Sequence, residues 1–185
     1  MVLIDHSERG KLYRKIEQEL QAWKTQVGRK PLLVRGARQV GKSYTVEKFG
    51  KENFSSHVII NLEQHRECLN SFKSLEPQKI IASLAALRQQ KIVPGETLLF
   101  IDEIQECPDA IMALRYFKEN MPDLHIIAAG SLLEFVLNKA DFRMPVGRVE
   151  SLYMYPCTFE EFLIANNDDN ALEYLANASI DDGVD

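Results

Sequence analysis

Five short apolar runs recur along the chain: PLLV at 31–34, HVIINLE at 57–63, TLLFID at 97–102, LHIIAA at 124–129 and VESLYMY at 149–155. Between them lie segments of helical period. This alternation constrains the fold more than any other feature, because parallel neighbouring strands need a crossover of about a dozen residues or more, and helices supply it. TLLFID is apolar throughout rather than alternating, the pattern of a strand covered on both faces. The spacing predicts strands at 32–35, 57–63, 97–102, 124–129 and 149–155. It predicts helices at 42–51, from Pro77 to about 90, at 108–120 and at about 132–139. A further helix comes first, since Leu12, Ile16, Leu20, Trp23 and Val27 recur every three or four residues and Gly28 ends the stripe. The expected fold is α/β, three layers deep, with a parallel five-stranded sheet and helices on both faces.

A chain of 185 residues with 45% hydrophobic content suits one domain with a proper core. We expect that domain over residues 1–165, the N-terminal helix included, followed by one weak helix and an acidic, core-poor end at 166–185. No apolar run approaches the roughly eighteen residues of a membrane span, and MVLIDHSERGKLYRK lacks the apolar segment of a signal peptide. The chain therefore reads as intracellular, with a cytoplasmic location and no membrane partner expected. Cys68, Cys107 and Cys157 show no CxxC spacing and no histidine pairing, so neither zinc nor a disulfide framework is indicated, and buried reduced thiols are expected. Residues 1–51 carry 12 Lys/Arg against 5 Asp/Glu, while residues 52–185 carry 10 against 22. A basic first third could face nucleic acid, but no aromatics are interleaved with the lysines, and the phosphates of one nucleotide need far fewer charges.

Gly36-Ala37-Arg38-Gln39-Val40-Gly41-Lys42-Ser43 fits G-x-x-x-x-G-K-[ST] and falls between the first strand and a helix, the context that this pattern requires. Glycines let successive backbone N–H groups curl around an anion, and the helix starting at Lys42 aims the positive end of its dipole there. Lys42 would reach the β and γ phosphates of a nucleoside triphosphate, and the Ser43 hydroxyl would be a ligand of Mg²⁺. With Tyr44, residues 36–44 are the expected binding stretch. LLFIDEIQ supplies the other half. Asp102, at the C-terminal end of a buried strand, can hold the metal opposite Ser43, and Glu103, one step on, can polarise a water for in-line attack.

Ser131 ends the fourth strand, where it could sense the γ-phosphate. Ser131 and Glu134 also form S-x-x-E, a capping box for the next helix, and the two roles are compatible. Thr158 and Glu161 make the same box before FEEFLIA. Arg148, entering the fifth strand, could offer its charge to a phosphate of its own site or a neighbour's, or be a plain surface arginine. NKAD at 138–141 matches a guanine-reading box. Three facts oppose it: Asp102 is followed by Glu103 with no D-x-x-G, Leu132, Leu133, Val136 and Ala140 have helical spacing, and only about four residues would separate EFVL from HIIAA as parallel strands.

Taken in order, Gly36 to Ser43, Asp102 to Gln105, Gly130-Ser131, Gly147-Arg148 and Pro156 to Phe162 resemble a family of bacterial and archaeal AAA+-like P-loop ATPases. Its members read roughly GxRQVGKT, DEIQ, GS, GR and a proline before FEEF, and the run of motifs covers about residues 12–163. The resemblance implies a P-loop NTPase core with strand order 5-1-4-3-2, ATP with Mg²⁺, and hydrolysis using Glu103 with Lys42. It also implies Ser131 in a sensor position and Arg148 as an arginine finger. Family members continue with a helical lid and a further C-terminal domain, so residues 166–185 would begin such a lid. Two function classes follow: ATP hydrolysis driving a conformational change in a protein partner or C-terminal domain, or a nucleotide-gated binding switch with little turnover. A small-molecule kinase is weaker, because the vicinal Asp-Glu favours activating water. Self-association is left open, since Arg148 could act across two subunits.

Overall fold

The computed structural model describes residues 13–131, 133 and 147–177. Five strands form one parallel sheet: β1 (Leu32–Arg35), β2 (Ser56–Asn61), β3 (Thr97–Asp102), β4 (His125–Ala129) and β5 (Glu150–Tyr153). Their spatial order is β2-β3-β4-β1-β5, which is the expected 5-1-4-3-2 seen from the other edge. Register is set by pairs such as Leu33 with Ala128, Val34 with Leu152 and Ile101 with Ala128.

Side chains alternate across this sheet and so divide the core in two. Leu33, Leu99, Ile101, Ile126 and Ala128 face one cluster with Phe72, Leu84, Leu114 and Phe117. That layer comes from α3 (Pro77–Arg88), α4 (Pro108–Asn120) and a 3₁₀ segment, Arg66–Ser74. Leu32, Val34, Leu98, Phe100, Ile127 and Ala129 face the other cluster, with Leu20, Trp23, Val46 and Phe49 from α1 (Ile16–Thr25) and α2 (Lys42–Asn53). β3 and β4 are buried along their whole length, as their unbroken apolar runs require. Two short helices follow β5: α5 (Phe159–Ala165) and α6 (Asp169–Asn177).

Local chemistry explains where the elements end. Pro77 and Pro108 open their helices at positions where a missing N–H costs nothing. β2 stops at Asn61 because its Oδ1 accepts the amides of Glu63 and Gln64, at 3.1 and 3.0 Å, and turns the chain. This strand therefore ends two residues before the expected boundary. The first apolar stripe is likewise shorter than expected: α1 ends at Thr25, Gln26 is extended, and Val27 is 99% exposed. Cys68 and Cys107 are buried free thiols, but Cys157 is free and exposed, contrary to the expectation for all three. The Thr158–Glu161 capping box is present in full at the start of α5. The helix expected at about 132–139, the NKAD stretch and the partner Glu134 of the other box lie outside the described residues. Among the described residues no helix is long and apolar enough to cross a membrane.

Candidate functional site

The loop from Gly36 to Gly41 joins the C-terminal end of β1 to the first turn of α2. Its backbone needs glycine at both ends. Gly36 has φ +143°, and a Cβ there would lie 2.1 Å from the Met154 carbonyl oxygen, so β5 packs directly on the loop's first residue. Gly41 has φ +96° and precedes α2 with no side-chain cap. Gln39, between them, also has positive φ, at 62°. Thr45 N–H reaches Gly41 C=O at 3.0 Å, and the start of α2 opens toward the loop. An uncapped helix start behind a glycine loop is a ready anion site.

Lys42, largely buried, donates to the Gly36 and Ala37 carbonyls at 2.9 and 2.6 Å, folding back over its own loop. Burial holds its pKa below the usual lysine value, while the carboxylates of Glu103 and Asp102 pull in the opposite direction. Ser43 Oγ donates to Asp102 Oδ2 at 2.8 Å, joining α2 to the end of β3 across 59 positions of sequence. The same oxygen receives Asn61 Nδ2 at 3.4 Å, and Oδ1 receives the Glu103 amide at 3.0 Å. Burial raises the Asp102 pKa, opposed by the hydrogen bonds from Ser43 and Glu103. A cation beside this buried carboxylate would offset the cost of burying its charge.

Asp102 and Ser43 offer hard oxygen donors, which suit Mg²⁺. Among the described residues no group of three or more His, Cys, Asp or Glu could hold a metal ion. One carboxylate and one hydroxyl fit the usual manner of Mg²⁺, which keeps several waters and takes one or two protein oxygens beside a substrate's phosphates.

Glu103 begins the 3₁₀ turn Ile104–Glu106 in the left-handed region, with φ 49° and ψ 45°, a sparsely populated conformation for a non-glycine residue. Gln105 Nε2 donates to its carboxylate at 2.5 Å. Arg38, Gln39, Gly41, Lys42, Ser43, Tyr44, Glu63, Glu103 and Ser131 line one cavity of about 420 Å³. Arg38 Nε lies 3.4 Å from Ser131 Oγ across it. Of the residues singled out from the sequence, Arg38, Gln39, Gly41 to Tyr44, Glu103 and Ser131 thus converge, with Asp102 behind Ser43. Gly36 and Ala37 line a neighbouring cavity of about 230 Å³ with Gly130, Ser131 and Tyr153. Val40 lines a third, of about 390 Å³, with Arg14, Tyr44, Pro156 and Cys157.

Arg148 does not join its own chain's cluster. It precedes β5 and pairs with Glu119 of α4, Nε to Oε1 at 3.0 Å. Glu150 N–H bonds to Pro31 C=O, so Arg148 lies level with the start of β1, whereas the loop follows its end. The four residues of β1 separate the two levels, roughly 13 Å at about 3.3 Å per residue.

Four residues to which the sequence reading gave no part in the site complete it. Asn61 and Gln105 hold the two carboxylates, and Arg14 and Glu161 brace the loop. Arg14 donates to the Val40 carbonyl at 2.8 Å and to the Tyr155 carbonyl at 2.6 Å, and its Nε lies 3.3 Å from Glu161. Glu161 accepts the amides of Lys15 and Thr158 at 2.7 and 2.8 Å. Burial pushes its pKa up, but those amides and the guanidinium outweigh burial and leave it below the ordinary carboxylate value. The capping box was the only signal for Glu161 in the sequence. Nothing local marks Arg14, whose two carbonyl acceptors lie 26 and 141 positions away.

No curated protein sequence matches the chain. Among solved structures, the Walker-type ATPase PABY2304 of Pyrococcus abyssi has a similar fold, with a TM-score of 0.52 at 18% identity, covering 95% of this chain and 71% of that one. The Aeropyrum pernix ORC1 protein in complex with DNA gives 0.48 at 15% identity, covering 86% of this chain and 48% of that one. For C. elegans PCH-2 the values are 0.42, 15%, 94% and 47%. A family model described as AAA domain matches residues 28–163, from just before β1 into α5. With that match spanning well over half of its length, and the loop, the carboxylate pair and the strand order all within it, the chain belongs to the AAA-domain family.

Proposed function

We propose that the chain binds ATP with Mg²⁺ at the loop of residues 36–44 and hydrolyses it, with Glu103 as the base that orients and deprotonates the attacking water. The observation that carries this reading is the 2.8 Å hydrogen bond from Ser43 to Asp102. It brings a loop hydroxyl and a strand-end carboxylate together beside Lys42, and membership of the AAA-domain family implies a nucleotide as the ligand.

On this reading the β and γ phosphates draw the Lys42 ammonium away from the Gly36 and Ala37 carbonyls. Ser43 and Asp102 would hold the magnesium ion, which neutralises charge on the β and γ oxygens. Glu103 takes a proton from water as its oxygen attacks the γ-phosphorus and the bond to the β–γ bridging oxygen breaks, leaving ADP and phosphate. Ser131 and Arg38, on the same cavity wall, would contact the γ-phosphate. The adjoining cavity with Tyr44, Pro156 and Cys157 would take the base. Arg14, held to both Val40 and Tyr155, would carry changes in the loop to the segment entering α5, and from there to a protein partner or a further domain. Any finger role of Arg148 falls to the site of a neighbouring copy, because its own site lies at the other end of the sheet.

Glu103→Gln tests the reading. It should bind ATP as tightly as the wild type while turnover falls by about 10² to 10⁴. ATP hydrolysis by this variant at the wild-type rate would overturn the assignment.

A further inference from the structure

We propose that Gln105 is a positioning residue for hydrolysis: seated in a notch that Gly130 keeps open, it holds the Glu103 carboxylate against the phosphate cavity. This deepens the ATPase reading above and rests on it.

The geometry of one amide group carries the inference. Gln105 Nε2 donates to Glu103 Oε2 at 2.5 Å, and Glu103 lines the cavity with Lys42, Ser43 and Ser131 while so held. The other end of the amide has no counterpart. Gln105 Oε1 is buried without a hydrogen-bond partner. An unpaired buried acceptor costs stability, and here that cost accompanies a donor fixed on the candidate base. The orientation cannot simply be reversed, since turning the amide over would set its oxygen against the carboxylate.

The seat depends on the size of residue 130. A Cβ on Gly130 would lie 2.2 Å from Gln105 Oε1 and 2.9 Å from Leu133 Cγ, so a larger residue would force the amide to shift. Gly130 directly follows β4 and directly precedes Ser131, which faces the same cavity. The backbone bearing Gln105 is fastened as well: Glu106 N–H bonds to Glu103 C=O and Cys107 N–H to Ile104 C=O, both at 3.0 Å, and Ile104 is fully buried. A fixed turn, a seated amide and a left-handed Glu103 leave that carboxylate little freedom other than the position it occupies.

Two sets of measurements test the proposal. In ¹H–¹⁵N spectra of the nucleotide-free chain, the Gln105 side-chain amide, identified by its loss in Gln105→Ala, should shift in both Glu103→Gln and Gly130→Ala. In steady-state kinetics, Gln105→Ala should lower kcat roughly tenfold or more, with ATP affinity within about twofold of wild type. Gln105→Glu keeps the size but removes the donor, and should be at least as slow. Gly130→Ala should also be slow, and adding it to Gln105→Ala should cost little further, because both act on the same contact. Additive losses, or wild-type kcat in a folded Gln105→Ala chain, would overturn the proposal. So would an amide signal indifferent to Glu103→Gln. Turnover abolished by Glu103→Gln but untouched by Gln105→Ala would sink this inference alone, whereas a wild-type chain that binds but never hydrolyses ATP would sink the ATPase reading with it.

Discussion

Lys42 is poised on a small set of competing contacts. Its ammonium donates to two loop carbonyls, and on the proposed reading a phosphate would draw it from them. The loop's shape depends on Gly36, whose missing Cβ lets the Met154 carbonyl sit against the loop. Gly36→Ala should therefore lower stability by at least about 2 kcal/mol and weaken ATP binding together, as thermal melts and titration would read. An alanine chain as stable and as tight-binding as the wild type would mean that the loop has another way to close. The clustering of Gly36, Lys42 and Ser43 was legible in the sequence because they are local to one turn. The contacts of Asn61 and Gln105 were not, because each reaches a carboxylate only in the assembled fold.

Between elements, the bracing of the loop by α1 and α5 is the main addition to what the motifs convey. Arg14 and Glu161 are both more than nine-tenths buried and pair with each other, and Arg14 also donates to the Val40 and Tyr155 carbonyls. Removing one partner of such a buried pair leaves the other charge unpaired, at a cost of about 3 kcal/mol. Arg14→Ala should lose about that much in denaturant unfolding and bind ATP more weakly, with Arg14→Lys intermediate. Unfolding indistinguishable from wild type would show that the brace carries no energy. The apolar runs and the helix-opening prolines made the strands and helices readable, with boundaries off where a side chain intervened, as Asn61 does at the end of β2. The 3₁₀ segment Arg66–Ser74 was not read from the sequence, although its buried Cys68, Ser71 and Phe72 fall at helical spacing. Arg148 carried a signal that was readable: a residue before a parallel strand lies at the sheet edge opposite a loop that follows one.

The molecule as a whole divides along the sheet, with the candidate-site cavity at the C-terminal edge and an aromatic cluster at the other. There His125, at the start of β4, packs edge-on against Trp23 and Phe54 at 5.9 and 4.8 Å. Burial, with the Arg29 charge nearby, lowers its pKa to about 4 against the opposing Lys24 backbone hydrogen bond and Asp123. Because the unfolded chain takes up this proton near the ordinary value of about 6.5, stability is complete above that pH. It falls by on the order of 2 kcal/mol as pH drops toward 4. Glu161, whose pKa is depressed, adds a further loss only below the ordinary carboxylate range. Denaturant melts between pH 7 and 4 should show the His125 slope, and His125→Phe should flatten it. An unchanged slope would place the proton uptake elsewhere.

The central claim is that the Gly36–Ser43 loop grips a triphosphate through Lys42. Calorimetric titration of ATP with Mg²⁺ into the wild-type and Lys42→Ala chains tests it most directly. The account predicts saturable one-site binding by the wild type and an affinity loss of at least about tenfold in the variant. Equal affinity in the two chains would contradict it.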